Sequence, residues 1–282
     1  MTGALRPPMP YFGGKITLAP RIAALLPEHR HYVEPFCGSL AVLLAKPPSQ
    51  HETVNDLDGE LMTFWRVLRD RPTDLERVCA LTPHSRAEQQ AAYELTGGLD
   101  DLEVARRVWV QLTQGRAGTR RRTGWRRYVA PHVSSTSLPG YLDGYVARIA
   151  AAAERLHRVS LESMPALDLI GTYGAHPGVL LYVDPPYLGA TRGRSWDGYP
   201  HEMRTEAQHR QLAQALHTAG AAVVLSGYPS DLYDRQLYPD WRRIAMPAST
   251  GQGGTWANRT EVLWSNRSLQ TQADLFDVGG SA

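Results

Sequence analysis

The sequence has few cysteines and no long apolar run. Its two cysteines, Cys37 and Cys79, among 282 residues exclude a disulfide framework and a four-cysteine zinc site. The longest apolar run, residues 40–45, is six residues long, whereas a membrane-spanning helix needs roughly 20. The Pro-rich N-terminus has no apolar stretch of the kind found in signal peptides. We therefore expect a soluble, cytoplasmic protein without membrane association.

Lysine is also scarce, and the charge is distributed unevenly. Of the 30 basic side chains only Lys15 and Lys46 are lysines, so the other 28 are arginines. Residues 104–142 contain eight arginines and neither lysine nor acidic residues, so this segment carries +8 and the remainder of the chain −6. A GC-rich genome explains the preference for arginine but not the missing acids. The asymmetry favours a polyanionic partner, such as nucleic acid, that meets one face of the protein.

Strand patterns lie towards both ends of the chain, and helical patterns lie between them. The apolar runs predict strands at 31–34, 53–55, 159–162, 179–183, 221–226, 241–246 and 261–265. Helical periodicity dominates residues 59–156. Strands that alternate with helices predict an α/β sheet. We therefore expect one sheet domain formed by residues 1–57 and 158–266, a mostly helical insertion over 58–157 that carries the basic segment, and a flexible tail over 267–282.

The tetrapeptide Asp184-Pro185-Pro186-Tyr187 follows the strand predicted at 179–183. Ligands of open α/β sheets lie beyond the carboxyl ends of the strands, so chemistry is expected at this turn. The prolines fix their φ angles and hold their carbonyl groups rigidly. A carboxylate, a rigid carbonyl and an aromatic ring suit a planar group that bears an NH₂. The alternative is a Pro-stiffened turn in which Asp184 caps the chain and Tyr187 packs.

A second turn from strand to helix is formed by Glu34-Pro35-Phe36-Cys37-Gly38-Ser39. Ser39 is the expected N-cap of a helix over 40–46, and Gly38 allows a ligand to approach the backbone closely. Asp56, at the end of the next predicted strand, has the position of an acid that binds ribose hydroxyls. Because no full Gly-x-Gly-x-x-Gly is present, a nucleoside fits better than a dinucleotide. The alternative is an ordinary tight turn and an exposed acid.

The third motif is Tyr11-Phe12-Gly13-Gly14-Lys15, and its lysine stands out in a chain that otherwise uses arginine. An ammonium beside a glycine pair suits a ligand carboxylate, and Tyr11 is available to stack on an adenine. The alternative is a surface turn with an incidental lysine.

In chain order, the motifs are Tyr11-Phe12-Gly13-Gly14-Lys15, Glu34-Pro35-Phe36-Cys37-Gly38-Ser39, Asn55-Asp56 and Asp184-Pro185-Pro186-Tyr187. These four motifs in this order resemble the D12, or Dam-like, class of DNA adenine N6-methyltransferases in its alpha arrangement. The resemblance covers about residues 8–57 and 158–266 and extends to Leu225-Ser226-Gly227-Tyr228, Leu232-Tyr233 and Asn258-Arg259-Thr260-Glu261-Val262-Leu263-Trp264. One departure is Leu40, where this class usually has a second glycine. The resemblance implies a Rossmann-like methyltransferase sheet, a bacterial or phage-encoded protein, and S-adenosylmethionine as the methyl donor.

The resemblance also assigns residues to the cofactor and to the reaction. The expected cofactor-binding residues are Tyr11, Phe12, Gly14, Lys15, Glu34, Pro35, Phe36, Gly38, Asp56 and Asp184. The expected catalytic residues are Asp184, Pro185, Pro186 and Tyr187. In the implied mechanism an adenine is extruded from the duplex, Tyr187 stacks on it, and Asp184 and the Pro185 carbonyl accept hydrogen bonds from N6. No metal is expected, because the histidines are scattered and join no cysteine pair.

The basic segment of the insertion is the expected DNA-recognition region. Its candidate DNA-binding residues are Arg116, Arg120, Arg121, Arg122, Trp125, Arg126 and Arg127, with Tyr128 as a further aromatic. Arginine bridges phosphates or reads guanine, and an aromatic ring can wedge into the base stack. We expect mostly phosphate contacts to double-stranded DNA. The alternative is a solvated basic face.

The C-terminal tail contains Gln272-Ala273-Asp274-Leu275-Phe276. This stretch is similar to the Q-x-D/S-L-F peptides by which many bacterial proteins dock on the sliding clamp, with Leu275 and Phe276 as apolar anchors. The alternative is that the apolar pair packs on the protein itself. The expected oligomeric state is a monomer or a weak dimer.

The sequence is also compatible with two other functions. A related enzyme could methylate another planar amine, such as an RNA adenine or a protein side-chain amide. A protein of a different class could bind DNA after losing catalysis, although the intact Asp184-to-Tyr187 motif argues against this. Binding of S-adenosylmethionine discriminates between the enzyme and the inactive DNA-binding protein.

Overall fold

A single mixed sheet organises the protein. The computed structural model describes residues 4–95, 97–127, 137–189, 200–252 and 255–270, and within them the sheet has seven strands in the order β3-β2-β1-β4-β5-β7-β6. The strands are β1 (His31–Glu34), β2 (His51–Asn55), β3 (Ser160–Glu162), β4 (Val179–Val183), β5 (Ala222–Gly227), β6 (Arg242–Gln252) and β7 (Thr255–Ser265). The predicted α/β sheet is confirmed.

Five strands run parallel, and a hairpin closes one edge. Strands β3, β2, β1, β4 and β5 pair in parallel, whereas β7 pairs antiparallel with both β5 and β6. The connections from β1 lead to β2 and β3 on one side, and the chain then returns to β4 on the other. The strand order therefore reverses between β1 and β4, which is where ligands of open α/β sheets bind.

Helices cover both faces of this sheet. They are α1 (Ala19–Leu25), α2 (Ala41–Ala45), α3 (Gly59–Asp70), α4 (Pro72–Leu81), α5 (Arg86–Ala91), α6 (Asp101–Gln114), α7 (Leu138–Val146), α8 (Ile149–Leu156), α9 (Ala166–Tyr173) and α10 (Glu206–Thr218). None of the helices in the described ranges is both long and apolar enough to cross a membrane.

Side chains alternate along the strands between two hydrophobic clusters. Tyr32 and Tyr182 join the cluster that contains α1 to α4, α6 and α8, whereas Val33 and Val183 join the cluster that contains α9 and α10. This alternation follows from the two-residue period of a strand. Because parallel strands covered on both faces must be apolar on both sides, β4 is buried at all five positions.

The helices between β2 and β3 share one hydrophobic cluster with the sheet. Phe64 and Trp65 of α3 and Trp109 of α6 are fully buried in the cluster that also contains Tyr32 and Leu180. Trp65 Nε1 also donates to the Gly38 carbonyl at 3.0 Å. Part of the predicted insertion therefore packs directly on the sheet, and its existence as a separate domain over 58–157 stays a prediction.

Candidate active site

A cavity of about 380 Å³ lies at the carboxyl ends of β1, β2 and β4. Each strand delivers one carboxylate to it: Glu34 is the last residue of β1, Asp56 follows β2, and Asp184 follows β4. The residues predicted to hold the cofactor come together in its wall, namely Tyr11, Phe12, Gly14, Lys15, Glu34, Pro35, Phe36, Gly38, Asp56 and Asp184. Three sequence motifs that are far apart in the chain therefore surround one space.

The N-terminal motif folds as a tight turn that carries Lys15 into the site. The Gly14 amide donates to the Tyr11 carbonyl at 3.0 Å, and Gly13 has a φ of 73°. Lys15 is buried, and its Nζ donates to Asp184 Oδ1 at 2.8 Å, to Asp184 Oδ2 at 2.7 Å and to the Gly13 carbonyl at 2.8 Å. The sequence predicted a ligand carboxylate as the partner of Lys15, whereas protein oxygens take these bonds in the structure.

Attraction by acidic neighbours keeps Lys15 charged despite its burial. Burial disfavours the ammonium, but Asp184, Glu261 and the hydrogen bond to Asp184 outweigh this effect and raise the pKa of Lys15. Glu261 Oε1 lies 3.8 Å from Lys15 Nζ. The site therefore holds a cation between two acidic side chains, Asp184 and Glu261.

Gly38 brings Tyr11 and Asp56 against the same backbone turn. Gly38 has a φ of 44°, and a Cβ built on it would lie 2.9 Å from the Tyr11 ring. Its amide donates to Asp56 Oδ2 at 3.1 Å. Burial raises the pKa of Asp56 to about 6, although the amides of Asp58 and Gly38 oppose the shift. This position requires glycine for its backbone angle and for the space that the Tyr11 ring occupies.

The helix after this turn begins differently from the prediction. Ser39 was the expected N-cap, but α2 begins at Ala41, its N-cap is Leu40, and no side chain caps it. Leu40 has a φ of 56°, in the left-handed region, and is fully buried. Position 40 requires a left-handed backbone conformation, which glycine adopts most easily. This explains why the D12 class usually has glycine at the corresponding position. Leu40 adopts the same backbone conformation and fills the core as well.

Glu34 is a buried carboxyl group in the cavity wall. Its Oε1 accepts hydrogen bonds from Tyr32 Oη at 2.6 Å and from the Leu43 amide at 2.9 Å. Burial is the main cause that raises its pKa to about 8, and the negative charge of Asp184 adds to the shift. At neutral pH, Glu34 is therefore protonated in most of the protein molecules when no positive group is bound beside it.

The Asp184-to-Tyr187 turn places its four residues in different surroundings. Asp184 and Pro186 line the cavity, while Pro185 and Tyr187 are buried. Tyr187 Oη donates to Asp184 Oδ1 at 3.0 Å and also contacts Glu261 Oε1. The Tyr228 ring meets the Tyr187 ring edge-on at 4.6 Å, and Lys15 Nζ lies 4.9 Å from its centroid. The Tyr187 ring is therefore restrained before any substrate binds.

Several residues of the site were not predicted as site residues from the sequence. The cavity wall opposite the glycine turns includes the start of α9, from Pro165 to Asp168, and residues 200–203. Glu261 lies on β7, in the hairpin that closes the sheet, and it contacts Tyr187 of the Asp184-to-Tyr187 turn. In the sequence, Glu261 stands out only as part of the resembling stretch from Asn258 to Trp264, and such a signal does not reveal its partner.

The basic segment forms a loop that contacts the N-terminal motif. Gly115 and Trp125 form an isolated antiparallel bridge, and the Arg116 amide donates to the Gly124 carbonyl at 3.1 Å. The Phe12 amide donates to the Gly118 carbonyl at 2.7 Å. The loop that was predicted to bind DNA is thus hydrogen-bonded to the loop that was predicted to bind the cofactor.

The arginines of this loop differ in exposure. Arg116, Arg122 and Arg127 are exposed, and Arg121 and Arg126 are half-buried. The Arg120 side chain is only 6% exposed; its Nε lies 2.9 Å from Asp58 Oδ2, and it also contacts Glu60. The prediction that Arg120 contacts DNA does not fit this burial, because the acids of α3 and its N-cap already neutralise it.

Trp125 is packed between protein groups. Its ring stacks on His84 at 4.5 Å, and the Arg86 guanidinium lies 5.0 Å from the ring centroid. The side chain is half-buried, so the predicted role as a free wedge would require it to leave this stack. A smaller cavity of about 210 Å³ adjoins Trp125, with Arg86, Tyr93 and Arg122 in its wall.

Two of the predictions lie outside the described residues. These are the aromatic Tyr128 and the tail motif from Gln272 to Phe276. In the described part of the chain, no three or more His, Cys, Asp or Glu side chains lie together in a way that could hold a metal ion.

Part of the chain is similar to one known protein family. A family model described as D12 class N6 adenine-specific DNA methyltransferase matches residues 11–97, which contain the Tyr11-to-Lys15 motif, the Glu34-to-Ser39 motif and Asp56. The chain is 27% identical over 278 residues to the Type II methyltransferase M1.LlaDCHI of Lactococcus lactis subsp. cremoris, covering 93% of this chain and 95% of that protein.

A second relative is a much longer protein. The chain is 23% identical over 245 residues to the DNA N-6-adenine-methyltransferase of Escherichia phage P1, and the match covers 81% of this chain but 30% of the phage protein. The resemblance noted in the sequence and these matches agree. Residues 11–97 thus match the D12 class of N6 adenine-specific DNA methyltransferases, and both relatives are named as methyltransferases, the phage protein as one that acts on adenine in DNA.

Proposed function

We propose that this protein transfers a methyl group from S-adenosylmethionine to the exocyclic amine of an adenine that it extrudes from duplex DNA. The observation that carries the proposal is the position of Asp184. It follows β4 at the point where the strand order reverses, lines the 380 Å³ cavity, and is held by both Lys15 and Tyr187. The match of residues 11–97 to the D12 class family model supports the same reaction.

The cavity fits S-adenosylmethionine chemically. This cofactor has an aromatic base, a ribose, a positive sulfonium, and an amino-acid end that carries both an ammonium and a carboxylate. The wall offers the Tyr11 and Phe36 rings together with the carboxyl groups of Glu34, Asp56 and Asp184. Rings suit the base, and carboxylates suit hydroxyl groups and cations. When bound, S-adenosylmethionine supplies an electrophilic methyl group.

The assignment of individual residues follows from their surroundings. Tyr11 and Phe36 would hold the base and Asp56 the ribose hydroxyls, while Glu34 and Asp184 would hold the ammonium of the amino-acid end. The tight approach of Gly38 to Tyr11 supports this arrangement, because a side chain at residue 38 would occupy the space of the Tyr11 ring. Lys15 would act through Asp184, unless a ligand carboxylate replaces one of its protein partners.

Asp184 keeps an acceptor available for the target amine. Lys15 donates to both of its oxygens and Tyr187 donates to Oδ1. Each carboxylate oxygen accepts about two hydrogen bonds, so Oδ2 retains one lone-pair position. An N6–H group of adenine would use it, and the Pro185 carbonyl would accept the second N6–H. Both bonds direct the nitrogen lone pair away from the acceptors and towards the methyl group.

The exposed arginines of the basic loop are the proposed contact to DNA. Arg116, Arg122 and Arg127 project from a segment without acidic residues and would neutralise phosphates. The hydrogen bond from Phe12 to the Gly118 carbonyl supports a duplex that lies close to the cofactor cavity. Extrusion of an adenine into that cavity would cost a few kcal/mol of unstacking.

The decisive test is to map modified bases. The protein is expressed in a host that lacks adenine methylation, and genomic DNA is sequenced with a method that detects N6-methyladenine. We expect modification at one short recognition sequence, and none with Asp184→Ala. Modification confined to RNA or protein would favour a methyltransferase of another planar amine, and failure to bind S-adenosylmethionine would favour an inactive DNA-binding protein.

The tail motif is proposed to add a second contact in the cell. Gln272, Leu275 and Phe276 lie outside the described residues, so the support comes from the sequence alone. A labelled peptide covering residues 270–282 is expected to bind a purified bacterial sliding clamp, and a peptide with Leu275 and Phe276 replaced by alanine is expected not to bind. Equal behaviour of the two peptides would remove this proposal.

A further inference from the structure

Glu261 is a buried acid that the proposed reaction does not use. It lies on β7, is 4% exposed, and stands outside the set of residues that line the cofactor cavity. Its Oε1 accepts a hydrogen bond from Ser226 Oγ at 2.7 Å and contacts the Tyr187 hydroxyl. Burying a carboxyl group is costly unless its oxygens are engaged, so this placement needs a reason.

The Tyr187 hydroxyl bridges two carboxyl groups. It lies 3.0 Å from Asp184 Oδ1 on one side and contacts Glu261 Oε1 on the other. A tyrosine hydroxyl has one proton, so it can donate to only one acceptor at a time. Burial and the charge of Asp184 raise the pKa of Glu261 against the opposing attraction of Lys15. The position of the Tyr187 hydroxyl therefore depends on both carboxyl groups, Asp184 on one side and Glu261 on the other.

We propose that Glu261 is a positioning residue of the methyl-transfer site, which fixes the Tyr187 hydroxyl and thereby aims both the Tyr187 ring and the Asp184 carboxylate at the target amine. This inference rests on the proposed function. Glu261 acts through its hydrogen bond to Tyr187 and not through its charge.

The surroundings of Tyr187 explain why its distal end needs an anchor. The backbone before it is stiffened by Pro185 and Pro186, but the side chain still rotates about two bonds. The centroid of the Tyr228 ring lies 4.6 Å from the centroid of the Tyr187 ring, and Lys15 Nζ lies 4.9 Å from the same centroid. The hydrogen bond between the Tyr187 hydroxyl and Glu261 restricts the remaining rotation of the side chain. An aromatic ring that must receive an extruded base gains from being held before the base arrives.

Ser226, on the neighbouring strand β5, holds Glu261 in place by donating a hydrogen bond to it. It is fully buried on β5 and pairs with Leu263 of β7 across the antiparallel ladder. Because β7 belongs to the closing hairpin and β4 carries the catalytic turn, the Glu261 contact joins the hairpin to that turn. The hairpin thereby positions the reaction centre, although none of its described residues lines the cavity.

Four proteins test the inference: the wild type, Glu261→Ala, Glu261→Gln, and Glu154→Ala as a control at an exposed glutamate of α8. Affinity for S-adenosylmethionine is measured by calorimetry, and the methyl-transfer rate is measured in a single turnover on duplex DNA. Glutamine can still bond to Tyr187 and Ser226, whereas alanine cannot. We expect Glu261→Ala to slow transfer by about 100-fold, the loss typical of a misplaced reacting group, and to leave cofactor affinity within about threefold.

A double-mutant cycle separates positioning from a general structural role. Tyr187→Phe removes the hydroxyl and keeps the ring, so its loss should resemble that of Glu261→Ala. Combining the two substitutions should cost no more than Tyr187→Phe alone, because both remove the same interaction. We also expect Glu261→Gln and Glu154→Ala to transfer at the wild-type rate within about threefold.

Three results would overturn the inference. These are a normal rate for folded Glu261→Ala, equal losses in Glu261→Gln and Glu261→Ala, and fully multiplicative losses in the double mutant. If Glu261→Ala fails to fold, Tyr187→Phe decides, since a normal rate in that variant leaves Glu261 nothing to position. Failure of the wild type to methylate DNA is a separate outcome and contradicts the proposed function itself.

Discussion

Lys15 Nζ donates to both carboxylate oxygens of Asp184, at 2.8 Å and 2.7 Å, across 169 positions of sequence. The contact joins the N-terminal glycine turn to the turn after β4. It also sets the charge of the reaction centre, because the acids around Lys15 raise its pKa and keep it an ammonium. Asp184 is therefore held in one orientation, beside a positive charge, before DNA binds.

Replacing Gly38 is expected to weaken cofactor binding. Gly38→Ala places a methyl group 2.9 Å from the Tyr11 ring and puts an L-residue at a φ of 44°, a conformation that costs about 1–2 kcal/mol. Because Tyr11 lines the cavity, we expect the affinity for S-adenosylmethionine to fall by about tenfold, as measured by calorimetry. Gly144→Ala in α7 is the matched control, since an added Cβ there meets nothing within 4 Å. Equal affinities for both variants would contradict the role of Gly38.

Acid is expected to weaken cofactor binding through Asp56. Its pKa in the folded protein is raised to about 6, so its carboxylate is lost as pH falls through this value. A protonated carboxyl group is a poorer acceptor for ribose hydroxyls, so affinity should decrease from pH 7 to pH 5. Asp56→Asn should bind more weakly at pH 7 and should lose this part of the pH dependence. A variant that keeps the full wild-type pH profile would show that another group titrates.

Two arginines of the basic loop are expected to behave differently. Arg120→Ala breaks a buried ion pair with Asp58 and should destabilise the protein by about 3 kcal/mol in urea denaturation. Arg122→Ala removes an exposed side chain, so stability should change by less than about 0.5 kcal/mol. Instead, the slope of log affinity for duplex DNA against log salt should fall by about 1. The reverse pattern would contradict the assignment of DNA contacts to the exposed arginines.

Leu40 permits a test in which two effects oppose each other. Leu40→Gly relieves a left-handed L-residue, which gains about 1–2 kcal/mol. It also empties the space of a fully buried leucine, which costs about 3–5 kcal/mol. We therefore expect a net loss of stability of about 2 kcal/mol in urea denaturation. Increased stability would mean that backbone strain outweighs core packing here.

Local patterns in the sequence were sufficient to predict the sheet. The predicted strands at 31–34 and 179–183 match β1 and β4, because short apolar runs bounded by turn residues have few other structures available. The start of α2 was less predictable. Ser39 is a good N-cap by residue type, but the left-handed conformation of Leu40 moves the helix start to Ala41.

Contacts between distant segments were the part that the sequence did not reveal. Arg120 looked like its neighbours in the basic segment, and only the fold brings it to Asp58 and Glu60. Glu261 gave no sign of its contact with Tyr187, because that contact depends on the pairing of β7 with β5. Burial and pairing of charges are tertiary effects, so residue type and spacing alone could not assign them.

The most direct test of the account is methyl transfer by wild-type protein and Asp184→Ala in parallel. Duplex DNA with the mapped recognition sequence is incubated with isotopically labelled S-adenosylmethionine, and labelled N6-methyladenine is quantified after one turnover. The account predicts stoichiometric labelling by the wild type, and no detectable labelling by Asp184→Ala although that variant binds the same DNA with nearly unchanged affinity. Full labelling by Asp184→Ala would contradict the central role of this carboxylate.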